Sequence, residues 1–270
     1  MDKPIRPAWQ PLTPRGVAAF AHAGWRRLLL VQSIVALLVA LVVMWQLATG
    51  WFPTISAAID RLPEKGEIRA QQLDWHGDSP LMLAEGRCLA LTVDLEHVHG
   101  LRSLAHVQVE FGRETFVIRS LFGYIEGRYP AGWVIAFNET ELSPRWGAWK
   151  PVLLVGVGVT AGLGVMFSWW LLATVYFMPV QLVGRFVNRD LIPSRSWRLS
   201  GAALMPGAVL MIAALVLYGV GSMDLVQLLF ATGAHFVVGW IYLFLSLLFV
   251  PSAGSASSRG NPFARPVQKA

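Results

Sequence analysis

Uncharged apolar stretches alternate along this chain with stretches that hold nearly all of its charge. The run LLLVQSIVALLVALVVMWQL, Leu28 to Leu47, contains no charged residue and reaches the roughly 20 residues that cross a hydrocarbon core. Pro151 to Phe177, Gly201 to Val220 and Leu225 to Val250 are also free of Asp, Glu, Lys and Arg. The pattern predicts four transmembrane helices, over 28–51, 151–177, 201–220 and 225–250. The first run follows Arg26 and Arg27 and ends near Ala48-Thr49-Gly50, so it also has the outline of a secretory signal peptide, although longer than the usual signal core. Either reading delivers the next segment to the outside.

That segment, 52–150, changes period. Phe52, Ile55, Ile59 and Leu62 recur at helical spacing and stop at Pro63, which predicts one short amphipathic helix. Leu89, Leu91, Val93 and Leu95 alternate with Ala90, Thr92, Asp94 and Glu96, the pattern of a half-buried strand whose second set faces water. On that phase Cys88 also faces water, open to a membrane-impermeant thiol reagent. Val107, Val109 and Phe111, a turn at Gly112-Arg113-Glu114, and Thr115 to Ser120 predict a hairpin. Trp133, Ile135 and Phe137 supply a further strand. The expected fold class is a membrane protein with four transmembrane α-helices plus an extracytoplasmic α+β domain built on an antiparallel sheet.

The flanks give orientation. Segment 1–27, segment 178–200 and the tail 251–270 together hold twelve Lys and Arg against two acids, Asp2 and Asp190. The remaining ten Lys and Arg lie in 52–150, beside thirteen acids. Basic flanks stay in the cytoplasm, so both termini are expected inside, in a multi-pass protein of a bacterial inner membrane. Thr13-Pro14 predicts an N-capped helix lying on the inner surface, and 178–200 an amphipathic basic segment with Leu182, Val183, Phe186 and Val187 on one face. The Ser-, Gly- and Pro-rich tail offers little to bury. With 55% hydrophobic and 14% charged residues and a mean hydropathy of +0.52, the composition agrees with a membrane protein. The net charge of +6 resides in those flanks, which argues against nucleic acid as a partner. One cysteine, Cys88, excludes an intramolecular disulfide and a CxxC motif.

Ala202-Ala203-Leu204-Met205-Pro206-Gly207 after a basic loop, and Trp240-Ile241-Tyr242 late in the last span, resemble pieces of uncharacterised bacterial polytopic membrane proteins. Those distantly resemble the Yip-type family. The resemblance covers the C-terminal spans, about the last 75 residues, and implies a non-catalytic role in membrane organisation or trafficking. Yip-type proteins group more spans together and lack a large outer insertion, so this chain departs from them, and no active-site residue carries over.

Candidate chemistry is sparse. His97 and His99 share one side of a strand beside Asp94, a spacing suited to zinc or copper but short of a full ligand set; solvated polar residues at a strand end are the plainer reading. Phe122, Tyr124 and Tyr129 form an aromatic stretch that either packs on the sheet or meets a partner or ligand. His235 is the only ionisable side chain near a span centre and reads as an interhelical hydrogen bond, since no intramembrane carboxylate accompanies it to make a proton relay. Gly158 and Gly162 have GxxxG spacing, which serves internal helix packing or leaves a homo-oligomer open. No motif calls for a cofactor or marks a catalytic residue. Two functions follow as expectations: a non-enzymatic accessory or scaffold protein whose outer domain binds another membrane or envelope protein, or a membrane sensor that binds a small ligand through 52–150.

Overall fold

Among the described residues, four helices are long and apolar enough to cross a membrane: Trp25–Ile59, Glu139–Phe186, Pro193–Gly219 and Leu225–Leu247. The computed structural model describes residues 9–96, 98, 101–189 and 191–252. The chain divides into a helical unit, which combines the part before Leu41 with the part from Thr160 onward, and a sheet-bearing unit, Leu41–Val159.

The helical unit opens with α1 (Pro14–Phe20). Thr13 caps it, its hydroxyl accepting the Gly16 N–H at 3.1 Å, and Pro14 takes the first turn, where its missing N–H leaves nothing unpaired. Val17 and Phe20 are wholly buried with Leu28, Leu199, Leu243 and Leu247. The expected surface helix is thus a core element, because Val17, Ala18, Phe20 and Ala21 make it apolar on nearly every side. Helix α2 (Trp25–Gln46) contributes Gln32, fully buried, whose amide donates to the Gly201 carbonyl at 3.4 Å and accepts from the Trp170 indole at 3.3 Å.

The separate amphipathic segment expected over 178–200 does not form. Helix α4 (Glu139–Phe186) continues through Pro179, and α5 (Pro193–Gly219) begins eight residues before the expected span. The break between them falls at Asn188, which adopts a left-handed φ of 54°, while the Arg189 N–H donates to the Gly184 carbonyl at 2.8 Å. Pro193 then starts α5 in the position that favours proline. Helix α6 (Leu225–Leu247) begins with a capping box in which Asp224 and Gln227 each satisfy the other's backbone N–H.

In the sheet-bearing unit, a π-helical turn (Leu47–Trp51) leads from α2 into α3 (Phe52–Ile59), the short helix that the spacing predicts. Strands β1 (Gly66–Arg69), β2 (Gln72–Trp75) and β8 (Ile135–Ala136) form a small antiparallel sheet in the order β2-β1-β8. A second sheet has the order β3 (Leu81–Glu85), β4 (Leu89–Val93), β5 (Val107–Phe111), β6 (Thr115–Ser120) and β7 (Gly123–Arg128). The predicted hairpin is β5–β6, but the wholly antiparallel sheet is corrected: β4 and β5 run parallel. A parallel pair needs a crossover, and 94–106 supplies it.

That crossover overturns a second expectation. Ala90, Thr92 and Asp94 are buried rather than solvated, and only Glu96 of that phase is exposed. Leu101 and Ser103 lie on this side of the sheet: the Gln108 amide donates to the Leu101 carbonyl at 2.8 Å and accepts from the Ser103 N–H at 3.2 Å. Cys88 is half-buried, its sulfur against Gly50, where an added Cβ would lie 3.2 Å away.

Candidate functional site: an apolar cavity beside the sheet

The uncovered side of the second sheet is apolar by register. Leu89 pairs with Val107, Leu91 with Val109 and Val93 with Phe111, so period-two alternation puts all six side chains on one face. Helix α3 packs over the β3 and β4 end of this face, and the start of α4 stands beside it. Between them lies a cavity of about 630 Å³, within the ~300–1,000 Å³ range of small-molecule sites. Its floor is Leu89, Leu91, Val109 and Phe111, one wall is Ile55 and Ile59, and the other is Leu142, Trp146 and Trp149.

Two of the polar groups around it, on Trp146 and Arg145, are already engaged. The Trp146 indole donates to the Ser56 hydroxyl at 2.9 Å and the ring meets Phe52 edge to face at 5.0 Å between centroids, leaving its apolar surface to the cavity. Arg145, the one charged residue in the lining, bonds Glu141 at 2.8 Å. Leu83 and Leu89 at the deep side are buried, whereas Trp149 is 60% exposed. Such a site suits hydrocarbon or aromatic groups and presents no general acid, base or nucleophile.

The residues singled out in the sequence fall elsewhere. His97 and His99 lie outside the described residues. Asp94 is buried at the end of β4, and among the described residues no group of three His, Cys, Asp or Glu is placed to hold a metal. Phe122 and Tyr124 sit at the β6–β7 turn and on edge strand β7, 78% and 71% exposed. His235 bonds through Nδ1 to the Thr232 carbonyl one turn earlier on its own helix, not to a neighbouring helix. An added Cβ on Gly158 would overlap Met44 Sδ, and one on Gly162 would lie 3.6 Å from Ala40 Cβ, so both glycines face α2. Gln32 is a fully buried polar group within a membrane-length helix that the sequence marks only as a lone amide in an uncharged run.

Tyr129 belongs to the core and not to a partner surface. It is 4% exposed, and its hydroxyl donates to the Gly112 carbonyl at 2.8 Å. Burial pushes its phenol above the ordinary value of about 10. The raised value makes the neutral form the one that folds: the contribution is intact below about pH 10 and is lost as pH rises further, at up to ~1.4 kcal/mol per pH unit, because the unfolded chain ionises first. Tyr129→Phe is expected to lose about 1 kcal/mol at pH 8 and to remove this part of the alkaline slope. Denaturant unfolding of the full chain at pH 8 and 11 checks both; equal slopes for the two proteins contradict the assignment.

Comparison with known protein families, with curated proteins and with solved structures gives no match.

Proposed function

We propose that this chain is a non-enzymatic, multi-pass protein of a bacterial inner membrane that binds an apolar ligand in the cavity of its sheet-bearing unit. In this reading both termini are cytoplasmic and 52–150 is extracytoplasmic, held between the first two spans. The excess of Lys and Arg over acids in 1–27, 178–200 and 251–270 supports that orientation. The observation that carries the binding role is the cavity, whose floor and walls offer hydrocarbon and aromatic surface with a single charged residue, Arg145.

The protein in lipid nanodiscs, titrated with the aromatic probe 1-aminoanthracene, is expected to show saturable fluorescence near one site per chain, above the signal of empty nanodiscs. Non-saturating partition equal to that of empty nanodiscs overturns the reading.

A second reading, an accessory or scaffold protein, has an observation of its own. Among the described residues edge strand β7 pairs only with β6, and Phe122 at the turn before it and Tyr124 and Ile125 on it are at least 70% exposed, which suits strand addition by another membrane or envelope protein. Recovery of a stable partner in mild detergent from the native protein but not from Tyr124→Asp supports it; identical recovery from both removes β7 from that role.

A further inference from the structure

The geometry points to an acyl chain of an anionic phospholipid from the surrounding bilayer as the occupant of this cavity, with its phosphate held at Lys150. This rests on the apolar-ligand reading above and names the ligand class.

The first argument is polarity. Sites for soluble metabolites combine apolar walls with a few polar groups that fix the ligand's orientation. Here Trp146 spends its N–H on Ser56, and Arg145 is engaged by Glu141. The floor is wholly aliphatic and aromatic. A ligand lying along that floor meets no polar side chain there, which describes a hydrocarbon chain whose polar end stays outside. Each CH₂ so buried is worth about 0.8 kcal/mol.

The second argument is position. Trp51 and Trp149, both in the lining, sit where two membrane-length helical runs leave their apolar stretches: Trp51 follows the run ending at Leu47, and Trp149 precedes the run that starts at Pro151. Indole rings at such points settle at headgroup level, where an acyl chain is the most abundant apolar ligand.

The third is shape. Register aligns Leu91, Val109, Ile118 and Ile125 across β4, β5, β6 and β7. The first three are half-buried and Ile125 is 70% exposed, so an apolar lane continues from the cavity floor toward the sheet edge, as a linear chain requires.

The fourth is charge. Lys150 follows Trp149, and its ammonium lies 5.7 Å from the centre of the Phe52 ring, which itself meets Trp146. The ammonium is therefore held beside the lining by an aromatic face, with no carboxylate paired to it among the described residues, and can donate to a phosphate oxygen.

The test uses the full chain in nanodiscs containing a phospholipid probe with a diazirine at the acyl terminus and either a phosphatidylglycerol or a phosphatidylcholine headgroup. After irradiation, adducts are mapped by mass spectrometry. Adducts are expected on β4 and β5, which no span contains, at least threefold more abundant with the phosphatidylglycerol probe. Val109→Trp should lower them more than tenfold while adducts within 151–177 persist; Ile55→Trp, from the opposite wall, serves the same purpose if Val109→Trp does not fold. Lys150→Gln should equalise the two headgroups. Adducts confined to the spans, with 1-aminoanthracene still binding saturably, overturn the lipid assignment and leave the cavity reading intact; failure of both probes overturns both. Equal labelling by the two headgroups in the native protein overturns the role of Lys150, and labelling that appears only when chains associate assigns the cavity to a second copy instead.

Discussion

Gly207→Leu is expected to destabilise the helical unit by about 3 kcal/mol or more, whereas Gly233→Leu should leave it unchanged or slightly more stable. The contrast follows from what a side chain would meet. At Gly207 of α5, an added Cβ overlaps the backbone carbonyl oxygen of His235 on α6, and backbone cannot rotate away. Ala203, one turn earlier on α5, faces Gly239 of α6, where an added Cβ would lie 3.9 Å from the Ala203 carbonyl oxygen. Together these small residues allow the two helix backbones to approach closely, the usual source of van der Waals stability between membrane helices. At Gly233 nothing lies within 4 Å of an added Cβ. Unfolding of the detergent-solubilised protein followed by circular dichroism should separate the two variants; equal stability would mean that α5 and α6 do not pack at Gly207. The same geometry places the backbone carbonyl of His235 against α5 at Gly207.

The spans were legible because uncharged length is a local property that needs no knowledge of neighbours. Their ends were less so. The second span was expected to end at Phe177, yet the helix runs on to the left-handed Asn188, after which the Arg189 N–H donates to the Gly184 carbonyl, a closure that composition does not encode. The β5–β6 hairpin was legible for the same local reason, two alternating runs flanking Gly112. The parallel β4–β5 pair was not, because alternation reports which face a residue occupies and says nothing of strand direction. It follows that a strand buried on both sides could read as half-solvated: Thr92 and Asp94 are polar yet 1% and 3% exposed. β1 and β2, four residues each and carrying Glu67, Arg69 and Asp74, offered too little apolar pattern to detect. The cavity was out of reach in another way. Each lining residue was visible as an apolar position of a helix or strand, but the empty volume depends on how far α3 and α4 stand from β4 and β5, a distance that no stretch of sequence encodes.

Leu91→Phe should separate a binding site from a mere packing defect. Leu91 lies on the floor of the cavity at the centre of β4, and phenylalanine extends the side chain into empty volume instead of into packed neighbours. For a cavity with no ligand-binding role, the substitution only adds buried apolar surface and should stabilise the protein by about 1 kcal/mol under all conditions. For a site that an apolar ligand occupies, the same substitution has two opposed effects. The ligand-free protein still gains about 1 kcal/mol, but the stabilisation that ligand confers, ~2.7 kcal/mol at one hundred times its dissociation constant, disappears. The variant should therefore be more stable than the native protein without 1-aminoanthracene and less stable with it at saturation, a crossing of the two unfolding curves that cavity filling alone cannot produce. Parallel curves, displaced by the same amount with and without the probe, would return the cavity to the status of unfilled core. Trp146→Phe supplies the complementary case. It keeps the apolar wall but removes the indole N–H that bonds Ser56 at 2.9 Å, so it should weaken the protein while leaving the probe bound, because the wall that touches the ligand is hydrocarbon and the bond that it breaks lies behind it.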